Sequence, residues 1–301
     1  MAVAAVTFGV GELYSLSCAL AWAIAVILFK KSGESLAPFA LNLFKNLLAL
    51  VLLGITILLL QGPALPSMPW PALLLILLSG VLGIAQGDTL YFHALNAIGA
   101  SRMAVAQTLY SPFVIILSVL FLGEHLHPLQ VAGVALVLSG ITLVTYVRVR
   151  NSTSARALRR GVTHAALSVL LMAIGIVIAK PMLERYDFLW VVELRIAGGL
   201  IGMGIEILLL RRAAALAAAY RGVRHWPQIV AGAIMGSYVS MILWLAGYKY
   251  TQAYIAAVLN EMAAVFILIL AVLFLRERVG KRQLSGILLA VAGVILVVSK
   301  A

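Results

Sequence analysis

Residues 38–60, "PFALNLFKNLLALVLLGITILLL", carry a single charge in 23 positions. An α-helix rises 1.5 Å per residue, so such a run crosses a hydrocarbon layer of ~30 Å. Similar runs recur along all 301 residues, and the chain is 64% hydrophobic and 11% charged. An ordinary soluble domain carries about 25% charged residues. The fold class that follows is all-α integral membrane.

Breaks at Gly, Pro and charge clusters divide the chain into ten expected spans. They run roughly 11–30, 38–60, 71–95, 100–122, 129–148, 161–180, 188–210, 226–248, 253–275 and 283–299. The first apolar run lacks the basic flank of a signal peptide and reads as a retained span. The Ala-rich "RRAAALAAAYRGVRHWP" is expected to hold a short interfacial helix. Cys18 is the one cysteine, so neither an internal disulfide nor a Cys-based zinc site is expected. The net charge of +12 sits in short loops, as membrane topology demands, and does not imply nucleic acid.

The chain repeats itself. "FLGEHLHPLQVAGVALVLSGITLVT" (121–145) aligns without gaps on "FLRERVGKRQLSGILLAVAGVILVV" (274–298) at an offset of 153, with nine of 25 pairs identical. Earlier spans match more weakly; Lys30 falls near Lys180, and Lys45 near Arg195, at an offset of 150. The expected architecture is two five-helix copies, 1–150 and 151–301. An odd number of spans inverts the second copy. Inverted halves that enclose a midplane site and rock around it are a transporter signature. Nothing resembles a channel filter or a ring of like charges. Connections on one side hold 16 Lys and Arg, those on the other, with the termini, 4. The positive-inside rule then puts both termini outside the cytoplasm of a multi-pass inner or plasma membrane protein.

The repeated block resembles the drug/metabolite transporter superfamily, in its ten-span EamA-type branch. The residues that carry the resemblance are "LGE" at 122–124, "LRE" at 275–277, the glycine pairs Gly133/Gly140 and Gly286/Gly293, and "GDTLYFHALNAIGAS" from Gly87 to Ser101. The resemblance implies export of amino acids or other small metabolites; some relatives carry sugar phosphates, nucleotide sugars or cationic drugs. Four-span multidrug relatives have a proton-coupled glutamate in their first helix. Trp22 and Met172 stand at the corresponding positions here. If protons are coupled, another acid must serve.

A charge at a helix centre costs about 2.5–3.5 kcal/mol, so intramembrane charges normally face a cavity or a partner. Glu261 lies about eight residues, or roughly 12 Å, into the ninth span. Its repeat counterpart is Thr108, and that of Asn260 is Gln107. These four residues are candidates to line a substrate cavity, with Glu261 holding an ammonium or a proton; an interhelical hydrogen bond is the structural alternative. Asp88, with Tyr91 on the same helical face, could bind an amine or pair near the interface. Lys45 and Arg195 could attract a carboxylate, or snorkel to the nearby span ends. Glu206 is expected to pair with Arg211 or Arg212, and Lys30, Lys31 and Lys180 to anchor at the interface. Trp22, Tyr110, Tyr238 and Trp244 lie deeper than the belt tryptophans and could cover a substrate or pack between helices. Pro112 should kink the fourth span beside Tyr110.

No H-E-x-x-H, G-x-S-x-G or phosphate-binding loop occurs, and no cofactor or metal is expected. The reading is a non-enzymatic secondary transporter of a small-molecule substrate in a lipid bilayer, with protons as the candidate coupling ion. Acids and bases in the spans fit the two ends of an amino acid. Export of organic cations needs acids and aromatics but no base. Sugar-phosphate or nucleotide-sugar exchange would need several deep bases.

Overall fold

The computed structural model describes residues 9–31, 36–64, 66–98, 106–145, 155–223, 225–275 and 280–298. No strand occurs among them. The helices are α1 (Val10–Lys31), α2 (Pro38–Leu60), α3 (Trp70–Gly80), α4 (Asp88–Ile98), α5 (Tyr110–Leu122), α6 (Pro128–Thr145), α7 (Ala155–Arg185), α8 (Phe188–Leu209), α9 (Ala213–Arg221), α10 (Trp226–Ala233), α11 (Ser240–Tyr250), α12 (Ala253–Asn260), α13 (Ala263–Leu275) and α14 (Lys281–Val298).

Among the described residues, seven stretches are long and apolar enough to cross a membrane: Val10–Leu28, Phe39–Leu60, Trp70–Tyr91, Arg159–Arg185, Phe188–Leu209, Trp226–Tyr250 and Ala253–Phe274. Tyr110–Leu122, Pro128–Leu143 and Leu284–Val298 are apolar but shorter. The count of ten is thus not reached by length. The 13 residues of α5 span about 20 Å, short of a hydrocarbon core. The expected start of that span, 100–105, lies outside the described residues. Large apolar side chains stay on the outside, Leu59 79% and Leu208 78% exposed, where lipid rather than water must solvate them. The small α9 buries nothing fully and packs Leu216, Ala219 and Tyr220 beside Leu36 and Ala40, which accounts for the Ala-rich segment.

Several helices are interrupted inside the expected spans. α3 passes into α4 through a wide π-helical stretch, Val81–Gly87, and α10 passes into α11 through another, Ile234–Val239. Their first residues are 153 apart, the repeat offset. Turns at 108–109 and 261–262 interrupt two further helices at the same offset. Pro112 explains the first turn, because it has no N–H to offer the Thr108 carbonyl. The second has no proline; the Ala264 N–H donates to the Glu261 carbonyl at 3.1 Å, a tighter three-residue loop.

α6 and α14 pack closely through glycines. A Cβ on Gly133 would stand 2.8 Å from the Gly293 carbonyl oxygen, and one on Gly140 2.5 Å from that of Gly286. N-terminal glycines meet C-terminal ones, so the helices run antiparallel with their backbones in contact. Gly140→Ala should therefore destabilise the protein by about 1–3 kcal/mol through overpacking. Gly204→Ala, where a Cβ meets nothing within 4 Å, should change stability by less than about 0.5 kcal/mol. Thermal unfolding in detergent micelles compares the two.

Candidate functional site

The turn that ends α12 places Glu261 against α5, where it accepts a hydrogen bond from Ser111 Oγ at 3.1 Å. Among the described residues it has no ion-pair partner. Neighbouring Asn260 has both side-chain polar atoms buried and unpartnered, as is Oε1 of Gln107 at the equivalent place before the other turn. Thr108, the counterpart of Glu261, is half-buried and has a bonding partner of its own.

Arg195 does not snorkel. It is 1% exposed and donates through Nη1 to Ser79 Oγ and the Gly175 carbonyl, both at 2.9 Å. Its guanidinium lies 5.4 Å from the Trp244 ring centroid, and its Nε is buried without a partner. The π-helical stretch makes the room: a Cβ on Gly83 would sit 2.7 Å from Nη2. From the sequence, Gly83 and Gly87, four apart, read first as a close helix contact and second as a hinge. Trp244 stands edge-on to Tyr248, and the Tyr248 and Tyr110 hydroxyls are hydrogen-bonded at 2.8 Å. Tyr110 is within electrostatic reach of both Arg195 and Glu261. Sequence reasoning missed Tyr248; its signal is a polar-tipped ring one helical turn after Trp244.

Lys45 does not snorkel either. It is buried and pairs with Asp88 at 3.5 Å. Asn42, one turn earlier on α2, also hydrogen-bonds Asp88. Tyr91 follows one turn after Asp88 and is partly buried. Tyr238 shares a 2.6 Å hydrogen bond with Thr56 across the α10–α11 and α2 interface. Trp22 is 37% exposed and lies against Gly236, so it is partly at the rim of the bundle. Glu206 pairs with Arg212 at 2.8 Å, as expected.

Lys180 overturns the interfacial-anchor expectation. It is buried and donates to Glu184 at 2.7 Å and to the carbonyls of Tyr248 and Thr251 at 2.9 Å each. Glu124 stands 3.9 Å away and accepts from the Ala253 and Tyr254 amides at 2.6 and 3.2 Å, capping α12 from another part of the chain. This gives "LGE" a structural meaning. Gly123 ends α5 at φ 66°, and Glu124 starts α12. Glu277 of "LRE" lies outside the described residues, as does the Lys30 side chain.

A cavity of about 720 Å³ opens at this end of the bundle, lined by Glu12, Glu124, Lys180, Glu184, Lys249 and Gln252 among others. It follows α12 only as far as Ile255, about 9 Å short of Glu261 along the helix. The wet pocket expected around Glu261 is therefore not where this cavity lies.

The sequence profile of the EamA-like transporter family matches residues 9–146 and again 159–299. The chain belongs to this family. As an EamA-like transporter, it has a function in moving small molecules across a membrane. An uncharacterized transporter of Archaeoglobus fulgidus is 22% identical over 284 residues, 94% of this chain and 96% of that one. Protein PecM of Dickeya dadantii is 26% identical over 256 residues, 80% of this chain and 78% of PecM. A solved crystal structure superimposes with a TM-score of 0.76 over 95% of both chains at 20% identity, a likeness of fold alone.

The Lys45–Asp88 pair can be tested by a stability cycle. Lys45→Met leaves a buried carboxylate alone and should cost about 3–5 kcal/mol. Adding Asp88→Asn should recover most of that loss in thermal unfolding.

Proposed function

We propose that this EamA-like transporter carries small polar metabolites, in the first instance amino acids, out of the cell by alternating access. The chain is read as ten spans in two inverted five-helix copies, 1–150 and 151–301, in an inner or plasma membrane with both termini outside the cytoplasm. Support for the inverted copies is internal. Two kinds of helix interruption recur at the 153 offset, the Gly133–Gly293 contact is reciprocated by Gly140–Gly286, and the family profile matches twice.

The observation that carries the substrate reading is the pair of opposite charges, Glu261 and Arg195, in no salt bridge among the described residues, within electrostatic reach of Tyr110 and Tyr248. Glu261 is held by a serine hydroxyl and Arg195 by neutral oxygens, while Lys45 and Asp88 neutralise each other. Glu261 is assigned to a substrate ammonium and Arg195 to its carboxylate. Trp244 and the tyrosines cover the side chain. Asn260 and Gln107, buried with polar atoms unpaired at the two turns, are assigned to the substrate's remaining hydrogen bonds. Thr108, Asp88, Tyr91, Tyr238, Trp22 and Lys45 line or brace the site.

A second reading, export of organic cations exchanged for protons, is favoured by one feature. Glu261 is within electrostatic reach of Tyr110 and Tyr248, whereas Arg195 already has two oxygen acceptors. In proteoliposomes, Glu261→Gln should lower transport at least about 100-fold while the protein stays folded; unchanged uptake makes Glu261 structural. Arg195→Gln separates the readings. It should weaken carboxylate-bearing substrates by about tenfold or more and spare cationic amines. A pH gradient should drive accumulation only if protons are exchanged.

A further inference from the structure

The cavity at the Lys180 end has its own polar floor. Three separate elements converge there on one ammonium. Glu184 comes from the end of α7, the Tyr248 and Thr251 carbonyls from the turn between α11 and α12, and Glu124 from the loop after α5. Thr251 also donates to Glu12 Oε1 at 2.7 Å, which ties in the start of α1. Beneath this floor is Tyr248, fully buried, whose hydroxyl meets that of Tyr110. We infer that this cavity is one mouth of the transport path and that Lys180 with Glu124 is the gate across its floor. The inference rests on reading the chain as a transporter with a central site.

The chemistry suits a reversible latch. A buried ion pair is costly to break when a charge is stranded in a dry interior. Here the same groups line a polar cavity, so parting the elements moves Lys180, Glu124 and Glu184 into water, where hydration replaces the lost contacts. Glu124 also couples the latch to the site. It caps the first turn of α12, and the turn that ends α12 carries Glu261. Withdrawal of the cap frees the helix that positions the carboxylate.

The chain supplies a reporter. Cys18, its sole cysteine, is 5% exposed, lies 3.4 Å from Ser240 Oγ and is within electrostatic reach of Tyr110 and Tyr248. It therefore sits on the central side of the latch. Full-length protein in proteoliposomes is exposed to a membrane-impermeant cationic methanethiosulfonate, and Cys18 modification is followed by mass spectrometry. Lys180→Met and Glu124→Gln should speed modification about tenfold or more by raising the open population. Glu184→Gln, which leaves Lys180 its two carbonyls and Glu124, should stay within about threefold of the unmodified chain. Glu124→Gln keeps an oxygen for the α12 amides, and its thermal unfolding establishes that it is folded. Equal rates in all four proteins overturn the gate. Labelling needs no substrate, so the two readings fail separately. Faster labelling in a protein that moves no solute removes the transport reading, whereas unchanged labelling in an active transporter removes the gate alone.

Discussion

Hydrocarbon offers no hydrogen bonds, and the arrangement of this molecule follows from that. Each polar group kept within the spans must find a protein partner or a wet cavity. The described residues meet this demand at several places, among them Lys45 with Asp88, Arg195 with Ser79 and Gly175, Lys180 with three acceptors and the nearby Glu124, and Glu261 with Ser111. Several of the partners, Asp88, Ser79, Thr251 and Glu261, lie at or beside a helix end or interruption.

The interruptions are as ordered as the helices. Wide turns loosen two of them, and tight turns before Tyr110 and after Asn260 break two others. A continuous helix has no free backbone groups at mid-depth; a broken one does, and it can bend there. α6 and α14 take the opposite part. They are packed backbone to backbone over two glycine crossings, without an interruption.

The all-helical membrane fold was legible because apolar runs of bilayer length admit few alternatives. The short helix near residue 215 was legible too, since an Ala-rich run flanked by arginines favours a helix too short and too charged for a span. The turn at Tyr110 was visible through Pro112, but the equivalent turn at Glu261 has no proline and only a polar dipeptide to mark it. Lys180 was misread because distance from a span end does not tell which way a side chain points. The partnership of Lys45 with Asp88 and the inward turn of Arg195 toward Ser79, Gly175 and Trp244 were equally hidden, since tertiary packing decides them. "LGE" was seen as a family mark, yet its work as helix end and remote cap depends on residues more than 120 positions away.

Gly83 and Arg195 lie on different helices, and the absence of one side chain is the space the other occupies. Neither position can drift alone. A methyl group at 83 would stand 2.7 Å from Nη2 and make the guanidinium shift, and a shorter residue at 195 would leave a hole that lipid-soluble solutes could fill. Any lineage that loses the arginine is thus released from the glycine as well, so the two identities should be inherited as a unit.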